Sequence, residues 1–265
     1  MVSEITSFPP VGEMMRSAGL APKKSLGQNF LFDLNITRKI ARAVPDLENS
    51  VVVEVGPGPG GLTRALLECG AKRVIAIEKD VAAKPILDKI ANASGGRLKV
   101  IYGDALDVSI NEREYAVCAN LPYNVGTEML AGWLRFPDKI KSMTLMFQRE
   151  VAERIVAVPG TKRYGRLSVL AALNWKSKIL FNVPNTAFVP PPKVRSAVVQ
   201  LTPLENRIRA EKVEKLTAVL FGQRRKMLRS IIPNVDWSRF CLTGAERAEQ
   251  LFPETFVQIA NAGII

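Results

Sequence analysis

The sequence predicts an α/β protein in which a doubly wound parallel sheet is followed by a small all-helical domain. Three observations carry this prediction. Short β-branched runs alternate with segments of helical spacing between residues 36 and 148, which is the pattern of a parallel sheet covered by helices. Several of these runs end in glycine or polar residues, as strands do where an open α/β sheet binds its ligand. After Pro203, helical patterns continue without a strand pattern.

The elements follow in order along the chain. Residues 36–44 have helical spacing, and "VVVEV" (51–55) is a β-branched run typical of a buried parallel strand. The helical pattern after it ends at Gly70, a residue typical of a helix C-terminus. Further strands are predicted at 73–80, 98–104, 115–120, 142–148, 178–183 and 196–204, and further helices at 62–70 and 83–93.

The change of pattern near residues 203–207 predicts a domain boundary. Residues 1–203 are expected to form the sheet domain, and residues 204–265 the helical domain. Within the second domain, helical patterns cover 209–232 and 243–263.

Basic residues predict a polyanionic partner. The formal net charge is +12 and the pI is about 9.8, a balance that attracts nucleic acid. A single cluster of cations is usually a solvated face, but several clusters on a basic chain favour phosphate contacts. The clusters are Lys162, Arg163 and Arg166 in a predicted loop; Lys193 and Arg195 after the prolines; and Arg224, Arg225, Lys226 and Arg229 on a predicted helix.

Several classes of protein are disfavoured. The chain has no histidine, which excludes histidine-based catalysis, and its cysteines are too dispersed for a zinc site or a disulfide framework. We therefore expect no metal and three buried apolar thiols. No apolar run is long enough to span a bilayer, and the first residues lack the basic start and apolar block of a signal peptide. A cytoplasmic protein without a membrane partner is expected.

The loop "EVGPGPGG" (54–61) joins the first strand to its helix. Gly56, Gly58 and Gly61 satisfy the GxGxxG pattern of dinucleotide sites, where glycines allow close backbone approach to a ligand at a helix N-terminus. With Gly60, the same letters satisfy the ExGxGxG pattern of S-adenosylmethionine-dependent methyltransferases. The loop alone does not choose between the two ligands.

Two carboxylates follow the next strands. Glu78 ends the second strand and can accept from both hydroxyls of a ribose, or it is a solvated charge beside Lys79. Asp104 follows the third strand and can accept from the exocyclic amine of adenine, or it is a helix N-cap. Both ligands considered above contain adenosine. The shared position at the carboxyl ends of strands predicts that these groups meet at one site.

The fourth strand ends in Asn120, Leu121, Pro122 and Tyr123, which suit an amine on a flat ring. Such an amine is a poor nucleophile because its lone pair is delocalised. The Asn120 side-chain oxygen and the Leu121 carbonyl can accept from its N–H groups and favour a pyramidal nitrogen. Pro122 has no competing N–H and constrains the turn, and Tyr123 offers a stacking face. This arrangement favours a methyl donor over NAD.

In this context "NLPY" resembles the amino-methyltransferase motif, in the form typical of rRNA adenine N6-dimethyltransferases. The resemblance is strongest to the KsgA/RsmA family and covers nearly all of residues 22–232. It is carried further by "KKSLGQNFLFD" (23–33), "MFQREVAERI" (146–155), "YGRLSV" (164–169), "FVPPPKVRSAVV" (188–199) and "FGQRRKMLRSII" (221–232).

The resemblance implies a Rossmann-like class I methyltransferase sheet and a specific reaction. The family transfers methyl groups from S-adenosylmethionine to N6 of two adjacent adenosines near the 3′ end of 16S (small-subunit) rRNA. The products are N6,N6-dimethyladenosine and S-adenosylhomocysteine, formed late in 30S subunit assembly. A monomer acting on pre-30S particles is expected.

The resemblance also implies roles for residues near the N-terminus. Asn29 and Leu31 match positions that touch the donor, and Gln28 and Phe30 match positions beside the active site. Phe188 is a second aromatic candidate for a base flipped out of its stack; the alternative is an ordinary core residue. The residues after "NLPYN", from Val125 to Glu128, depart from the family pattern, so no RNA contact is assigned there.

Other functions remain as alternatives. One is the related large-subunit (23S) rRNA adenine N6-methyltransferase of macrolide resistance. Another is a non-catalytic nucleic-acid-binding relative, against which the intact "NLPY" and glycine loop argue. An NAD dehydrogenase leaves "NLPY" and the basic charge unexplained.

Overall fold

The fold was analysed in a computed structural model that describes residues 2–23, 27–123, 125–135, 138–205 and 207–265. The strands are β1 (Phe30–Leu31), β2 (Val51–Val55), β3 (Arg73–Glu78), β4 (Leu98–Tyr102), β5 (Tyr115–Asn120), β6 (Ile140–Gln148), β7 (Trp175–Val183), β8 (Phe188–Val189) and β9 (Ser196–Pro203). The helices are α1 (Val2–Thr6), α2 (Val11–Ser17), α3 (Leu34–Arg42), α4 (Gly61–Glu68), α5 (Lys84–Ala93), α6 (Gly126–Leu134), α7 (Arg149–Ile155), α8 (Arg166–Asn174), α9 (Glu211–Gly222), α10 (Leu228–Ile231) and α11 (Pro253–Asn261).

The central sheet has the order β4-β3-β2-β5-β6-β9-β7. Five neighbouring strands of this sheet run parallel: β4, β3, β2, β5 and β6. Val53 of β2 pairs with Ile75 of β3 on one side and with Val117 of β5 on the other. After β2, the chain adds β3 and β4 on one side of that strand. It then crosses back, and β5 pairs with the other side of β2. The boundary between β2 and β5 is therefore the topological switch point, where open α/β sheets bind ligands.

The prediction of a parallel sheet holds for β2 to β6 but is wrong for β9. β9 lies between β6 and β7 and is antiparallel to both. The connection from β7 to β9 contains only a 3₁₀ turn, the short β8 and a proline-rich stretch. It lacks the crossover helix that parallel neighbours require, so β9 returns alongside β7 in the opposite direction.

Side chains of the inner strands alternate between two apolar layers. Val52, Val74 and Cys118 face the layer covered by the helices around α3 to α5, whereas Val53 and Val117 face the other layer. The second layer continues into the helices after Pro203. The residues of those helices that are buried in this layer include Val213, Leu216, Leu220, Phe256 and Ile259. No helix in the described part of the chain is long and apolar enough to cross a membrane.

The helical prediction for 209–232 is wrong in its middle. α9 ends at Gly222, residues 223–226 form a turn, and α10 covers only Leu228–Ile231. The basic residues Arg224 to Lys226 thus lie on a turn. From this turn, the Arg224 guanidinium donates to Glu249 and to the carbonyl of Lys162.

The helix predicted over 243–263 is shorter than expected. A 3₁₀ turn covers 248–250, and α11 begins at Pro253. Proline is favoured at the first helical position, and it disfavours helical geometry in the residue before it. Gly244 has φ +78°, and a Cβ there would lie 2.5 Å from Trp237, so the backbone before the 3₁₀ turn follows the packing of that indole.

Arg64 joins the N-terminal helices to the sheet. Its side chain is buried, and its guanidinium donates to the carbonyls of Pro9 at 2.7 Å and Phe8 at 3.2 Å. Burial lowers the pKa of Arg64, and the neighbouring Glu68 opposes that shift. A buried cation is tolerated only when carbonyls and a carboxylate surround it.

We expect Arg64→Ala to lower the free energy of unfolding by about 2–4 kcal/mol, because the substitution leaves the carbonyls of Phe8 and Pro9 without their donor. Chemical denaturation of the full chain measures this change. Arg16→Ala, which removes an exposed cation on α2, is the matched control and is expected to have little effect. Equal stabilities for the two variants would contradict the role assigned to Arg64.

Candidate active site

A cavity of about 260 Å³ opens at the carboxyl ends of β2 to β5, beside the switch point. It is lined by residues from the N-terminal segment, the glycine loop and the turns after β3, β4 and β5. The predicted site residues among them are Asn29, Gly56, Gly58, Glu78, Asp104, Asn120, Leu121, Pro122 and Tyr123. The structure therefore brings together residues that the sequence places at the ends of separate strands.

The glycine loop adopts the left-handed backbone that its residues permit. Gly56 has φ +68° and Gly58 has φ +53°, conformations that other residues rarely adopt. A Cβ on Gly58 would lie 2.7 Å from the ring of Phe30, so the N-terminal segment packs directly on the loop. The loop and this segment together form one wall of the cavity.

Glu78 is buried at the end of β3 and accepts two backbone hydrogen bonds. Oε2 accepts from the N–H of Gly58 at 2.8 Å, and Oε1 accepts from the N–H of Asp80 at 2.7 Å. Burial raises the pKa of Glu78, although these two N–H donors oppose the shift. The carboxylate thus holds the loops after β2 and β3 together and still lines the cavity.

A second carboxyl group lies beneath the glycine loop. Glu54 of β2 is buried and accepts from the hydroxyl of Thr63 at 2.6 Å. Burial raises the pKa of Glu54 to about 8, so at neutral pH this group is protonated. Glu54 in that state adds no second negative charge beside Glu78.

Asp104 follows β4 and lies at the edge of the cavity. Its carboxylate accepts from Lys79 Nζ at 2.7 Å and from the N–H of Leu106 at 3.1 Å, and the Lys79 hydrogen bond is the main cause of its lowered pKa. The residues after it form a turn and no helix, so the alternative of a helix N-cap is not what the structure shows.

The last residue of β5 and the three residues after it line the cavity. Asn120 Nδ2 makes a long contact of 3.4 Å to the carbonyl of Asn29, and no described residue donates to its Oδ1. The Pro122 carbonyl accepts from the N–H of Gly126 at 3.0 Å, which closes the turn into α6. Residue 124, the last letter of "NLPYN", lies outside the described residues.

Tyr123 is held from a distant strand. Its hydroxyl lies 2.6 Å from the hydroxyl of Ser196, the first residue of β9. Burial raises the pKa of Tyr123, and the hydrogen bond with Ser196 opposes the shift, so the phenol is protonated at neutral pH. The sequence analysis did not identify Ser196, because nothing in the local pattern links it to a residue on another strand.

Among the residues that the structure describes, Leu31 and Phe188 are not part of the cavity lining. They pair with each other where β1 and β8 form a two-stranded antiparallel sheet, and both side chains are buried in the apolar layer. For Phe188 the structure thus shows the alternative of an ordinary core residue. Both residues were predicted to contact ligands, and both differ from that prediction because packing against apolar neighbours encloses them.

The N-terminal segment is tied to the site through Asp80, another residue that the sequence analysis did not identify. Asp80 accepts from Lys23 Nζ at 2.8 Å and from Gln28 Nε2 at 3.2 Å, while its own N–H donates to Glu78. Gln28, Asn29 and Phe30 line the cavity, in agreement with the expectation that this segment lies beside it. The adjacency of Asp80 to Glu78 was the available signal.

The basic residues of the predicted clusters are not equivalent. Arg163 pairs with Glu150 at 3.1 Å and with Glu153 at 3.4 Å, and Arg224 pairs with Glu249 at 2.6 Å. Within the described residues, the remaining predicted cations are exposed and have no acidic side chain at ion-pair distance: Lys162, Arg166, Lys193, Arg195, Arg225, Lys226 and Arg229. Arg224 also donates to the carbonyls of Thr161 and Lys162, so it joins two of the clusters.

Comparison with solved structures defines the class of protein. A dimethyladenosine transferase from Plasmodium falciparum superposes with a TM-score of 0.75 at 27% identity, covering 86% of this chain and 94% of that one. The 23S rRNA methyltransferase ErmE superposes with a TM-score of 0.69 at 24% identity over 88% of this chain and 98% of that one, a likeness of fold alone. The fold and the cavity are those of a class I methyltransferase.

Sequence comparison identifies the family. The model of the family described as ribosomal RNA adenine dimethylase matches residues 19–262. Ribosomal RNA small subunit methyltransferase A of Xanthobacter autotrophicus is 50% identical over 98% of this chain and 96% of its own length, and that of Brucella abortus is 51% identical over 97% and 98%. The chain belongs to the ribosomal RNA adenine dimethylase family. Its reaction is the S-adenosylmethionine-dependent methylation of adenine in ribosomal RNA.

Proposed function

We propose that this protein transfers methyl groups to N6 of two adjacent adenosines near the 3′ end of small-subunit rRNA, giving N6,N6-dimethyladenosine late in 30S assembly. The observation that carries the proposal is the position of Asn120 to Tyr123, which line the same cavity as Glu78 and the glycine loop. The similar chains named small subunit methyltransferase A support the choice of rRNA. As finer parts of the proposal, the protein acts in the cytoplasm, as a monomer, on pre-30S particles.

The residues around the cavity fit S-adenosylmethionine, which supplies an electrophilic methyl group when it is bound. Glu78 would accept from the ribose hydroxyls, and Asp104 from the amine of the adenine ring. Gly56 and Gly58 line the cavity, and the Asn29 carbonyl contacts Asn120 beside them. Carboxylate acceptors at two adjacent strand ends match an adenosine, whose hydroxyl and amine donors are the groups they need.

We expect Glu78→Ala to weaken donor binding by up to about 3 kcal/mol, the range of hydrogen bonds to charged groups. Because the pKa of Glu78 is raised, its carboxylate gains a proton at a higher pH than an ordinary glutamate, with a pKa of about 4.3. The donor affinity of the parent protein should therefore fall as the pH is lowered, and the fall should begin at a higher pH than an ordinary glutamate would give. Calorimetry with S-adenosylmethionine at several pH values measures both effects.

The matched control is Glu78→Gln, which keeps an oxygen acceptor but does not titrate. Its donor affinity should be lower than that of the parent at neutral pH and should lack the dependence on pH. Identical pH profiles for this variant and the parent would contradict the assignment of Glu78 to the donor site.

The adenine would lie against Tyr123 with its amine toward Asn120 and Leu121. Asn120 Nδ2 donates to the Asn29 carbonyl. The Oδ1 atom of Asn120 is therefore available to accept a hydrogen bond from the adenine amine. Two acceptors at the amine favour a pyramidal nitrogen with a free lone pair. The methylated nitrogen is cationic and therefore acidic, so its proton can leave without a strong base, consistent with a chain that has no histidine.

We expect Asn120→Ala to lower the single-turnover rate by about two orders of magnitude, the scale of losing one hydrogen bond at a reacting centre. RNA affinity should change little, since phosphate contacts dominate it. Tyr123→Ala should lose a stacking contribution of roughly 1–3 kcal/mol, whereas Tyr123→Phe keeps the ring and should be slowed less than Tyr123→Ala. Rates are measured at saturating donor and RNA, with donor affinity determined in parallel.

Asn182→Ala, an exposed asparagine on β7, is the control for the Asn120 variant. It should have the parental rate. A parental rate for Asn120→Ala as well would make "NLPY" a simple turn and would overturn the role assigned to Asn120 in the reaction.

We also propose that residues 1–203 form the catalytic domain and that the helical residues 204–265 contribute to RNA binding. The Arg224 side chain joins the loop containing Lys162 to the turn containing Arg225 and Lys226. This contact supports one continuous basic surface made from both parts of the chain. In this proposal Arg225, Lys226 and Lys162 contact phosphates, while Arg224 and Arg163 hold the surface together through their internal ion pairs.

We expect the double variant Arg225→Ala/Lys226→Ala to weaken RNA binding and to reduce the slope of log affinity against log salt by roughly 1.4–1.8, since each phosphate contact contributes about 0.7–0.9. Donor binding should be unchanged. Arg224→Ala should instead lower thermal stability, because it leaves Glu249 and the Lys162 carbonyl without their donor. Salt titrations of RNA binding and thermal unfolding separate the two outcomes.

Lys89→Ala/Lys99→Ala, which removes the same charge from exposed positions on α5 and β4, is the control. If this variant and the Arg225/Lys226 variant had the same salt slope, general charge would explain the binding and the proposed surface would be rejected.

The function as a whole is tested on ribosomal subunits. Small subunits and large subunits from a strain that lacks the modification are incubated with the protein and labelled donor, and the nucleosides are analysed. N6,N6-dimethyladenosine in small-subunit rRNA supports the proposal. Label in large-subunit rRNA alone would favour the large-subunit reaction, and no label in either would favour a binding protein.

A further inference from the structure

The hydroxyl groups of Tyr123 and Ser196 lie 2.6 Å apart, although the two residues are 73 positions apart in the sequence. Ser196 has no exposed surface. Tyr123 lines the cavity, whereas Ser196 does not. The contact therefore links a residue that faces the substrate to one enclosed in the sheet.

Ser196 lies at a rigid place in the fold. It begins β9, where it pairs with Gln148 of β6 on one side and with Val183 of β7 on the other. A hydroxyl on a strand held from both sides has little freedom to move. Tyr123, by contrast, lies in a turn between β5 and α6, and two side-chain torsions determine the direction of its ring.

The hydroxyl of Tyr123 is engaged by this contact. Burial keeps the phenol protonated at neutral pH, so it is not a base. Among the described residues, Ser196 is the hydrogen-bond partner of the Tyr123 hydroxyl. What remains for a flat base is the face of the ring, and the contact with Ser196 holds the axis of that ring in place.

We propose that Ser196 is a positioning residue, whose buried hydroxyl holds the Tyr123 ring in the orientation on which the target adenine stacks. This inference rests on the proposed function, because it assumes that an adenine enters the cavity. It assigns to β9 a part in the reaction: the strand places an anchor behind the aromatic residue that follows β5.

The test compares Ser196→Ala, Tyr123→Phe and the double variant. Each single variant removes the hydrogen bond from one side, and each should lower the single-turnover rate about fivefold, the equivalent of one neutral hydrogen bond of about 1 kcal/mol. The double variant should be no slower than the slower single variant, because the bond can be lost only once. Donor affinity should not change. Multiplying losses in the double variant would overturn the proposal.

Ser142→Ala is the matched control. Ser142 is also a buried serine in the same sheet, on β6, but its hydroxyl has no hydrogen-bond partner in the described structure. Removing it should leave the methylation rate at the parental value. If Ser142→Ala slowed the reaction as much as Ser196→Ala, general loss of packing in the sheet would explain both results and the proposal would fall.

A second measurement does not depend on the donor. An RNA carrying fluorescent 2-aminopurine at the target adenosine is bound without S-adenosylmethionine. Stacking on Tyr123 should quench the fluorescence in the parent, Tyr123→Ala should abolish that quenching, and Ser196→Ala should reduce it. Parental quenching and parental rate in Ser196→Ala would overturn the positioning role while methylation by the parent leaves the proposed function intact. A parent that methylates no adenosine would overturn both.

Discussion

The arrangement of the cavity depends on the buried carboxylate of Glu78. Its two oxygens accept from the N–H groups of Gly58 and Asp80, so one side chain determines the relative position of the loops after β2 and β3. Removing a carboxylate from water is costly, and the two backbone donors compensate for part of that cost. The group nevertheless remains open to the cavity, where a ligand with hydroxyl donors would complete its hydrogen bonds.

Other parts of the site are linked to the Glu78 carboxylate through hydrogen bonds and packing contacts. Asp80, which donates to Glu78, accepts from Lys23 and Gln28 and so places the N-terminal segment over the cavity. Phe30 from that segment packs on Gly58, at a distance that a side chain at that position would not allow. The neutral state of Glu54 beneath the loop avoids repulsion with Glu78, since two adjacent buried carboxylates do not ionise together readily.

The other wall of the cavity has a separate support. Asn120 to Tyr123 follow β5, the strand beside β2, and the hydroxyl of Tyr123 reaches Ser196 on β9. The insertion of β9 between β6 and β7 is therefore relevant to the chemistry. An antiparallel strand begins at the edge of the sheet where its parallel neighbours end, so Ser196 at the start of β9 lies level with Gln148 at the end of β6. A parallel strand in the same place would have its last residue, and not its first, beside Gln148.

The sequence by itself determined the inner strands and the residues at their ends. "VVVEV" was predicted and found as Val51–Val55, and the strand predicted over 115–120 is Tyr115–Asn120, because burial on both faces is recorded directly as a β-branched or apolar run. Since parallel strands end at one edge, the convergence of Glu78, Asp104 and Asn120 followed from the order of elements alone.

Only the tertiary structure decided the direction of β9, the enclosure of Leu31 and Phe188, the turn at Arg224 and the anchor at Ser196. Each of these depends on groups that are distant in the sequence, such as Arg224 with Glu249. Hydrophobic periodicity reports how a segment meets its immediate surroundings, but it carries no record of which distant donor, acceptor or charge the fold will place beside it.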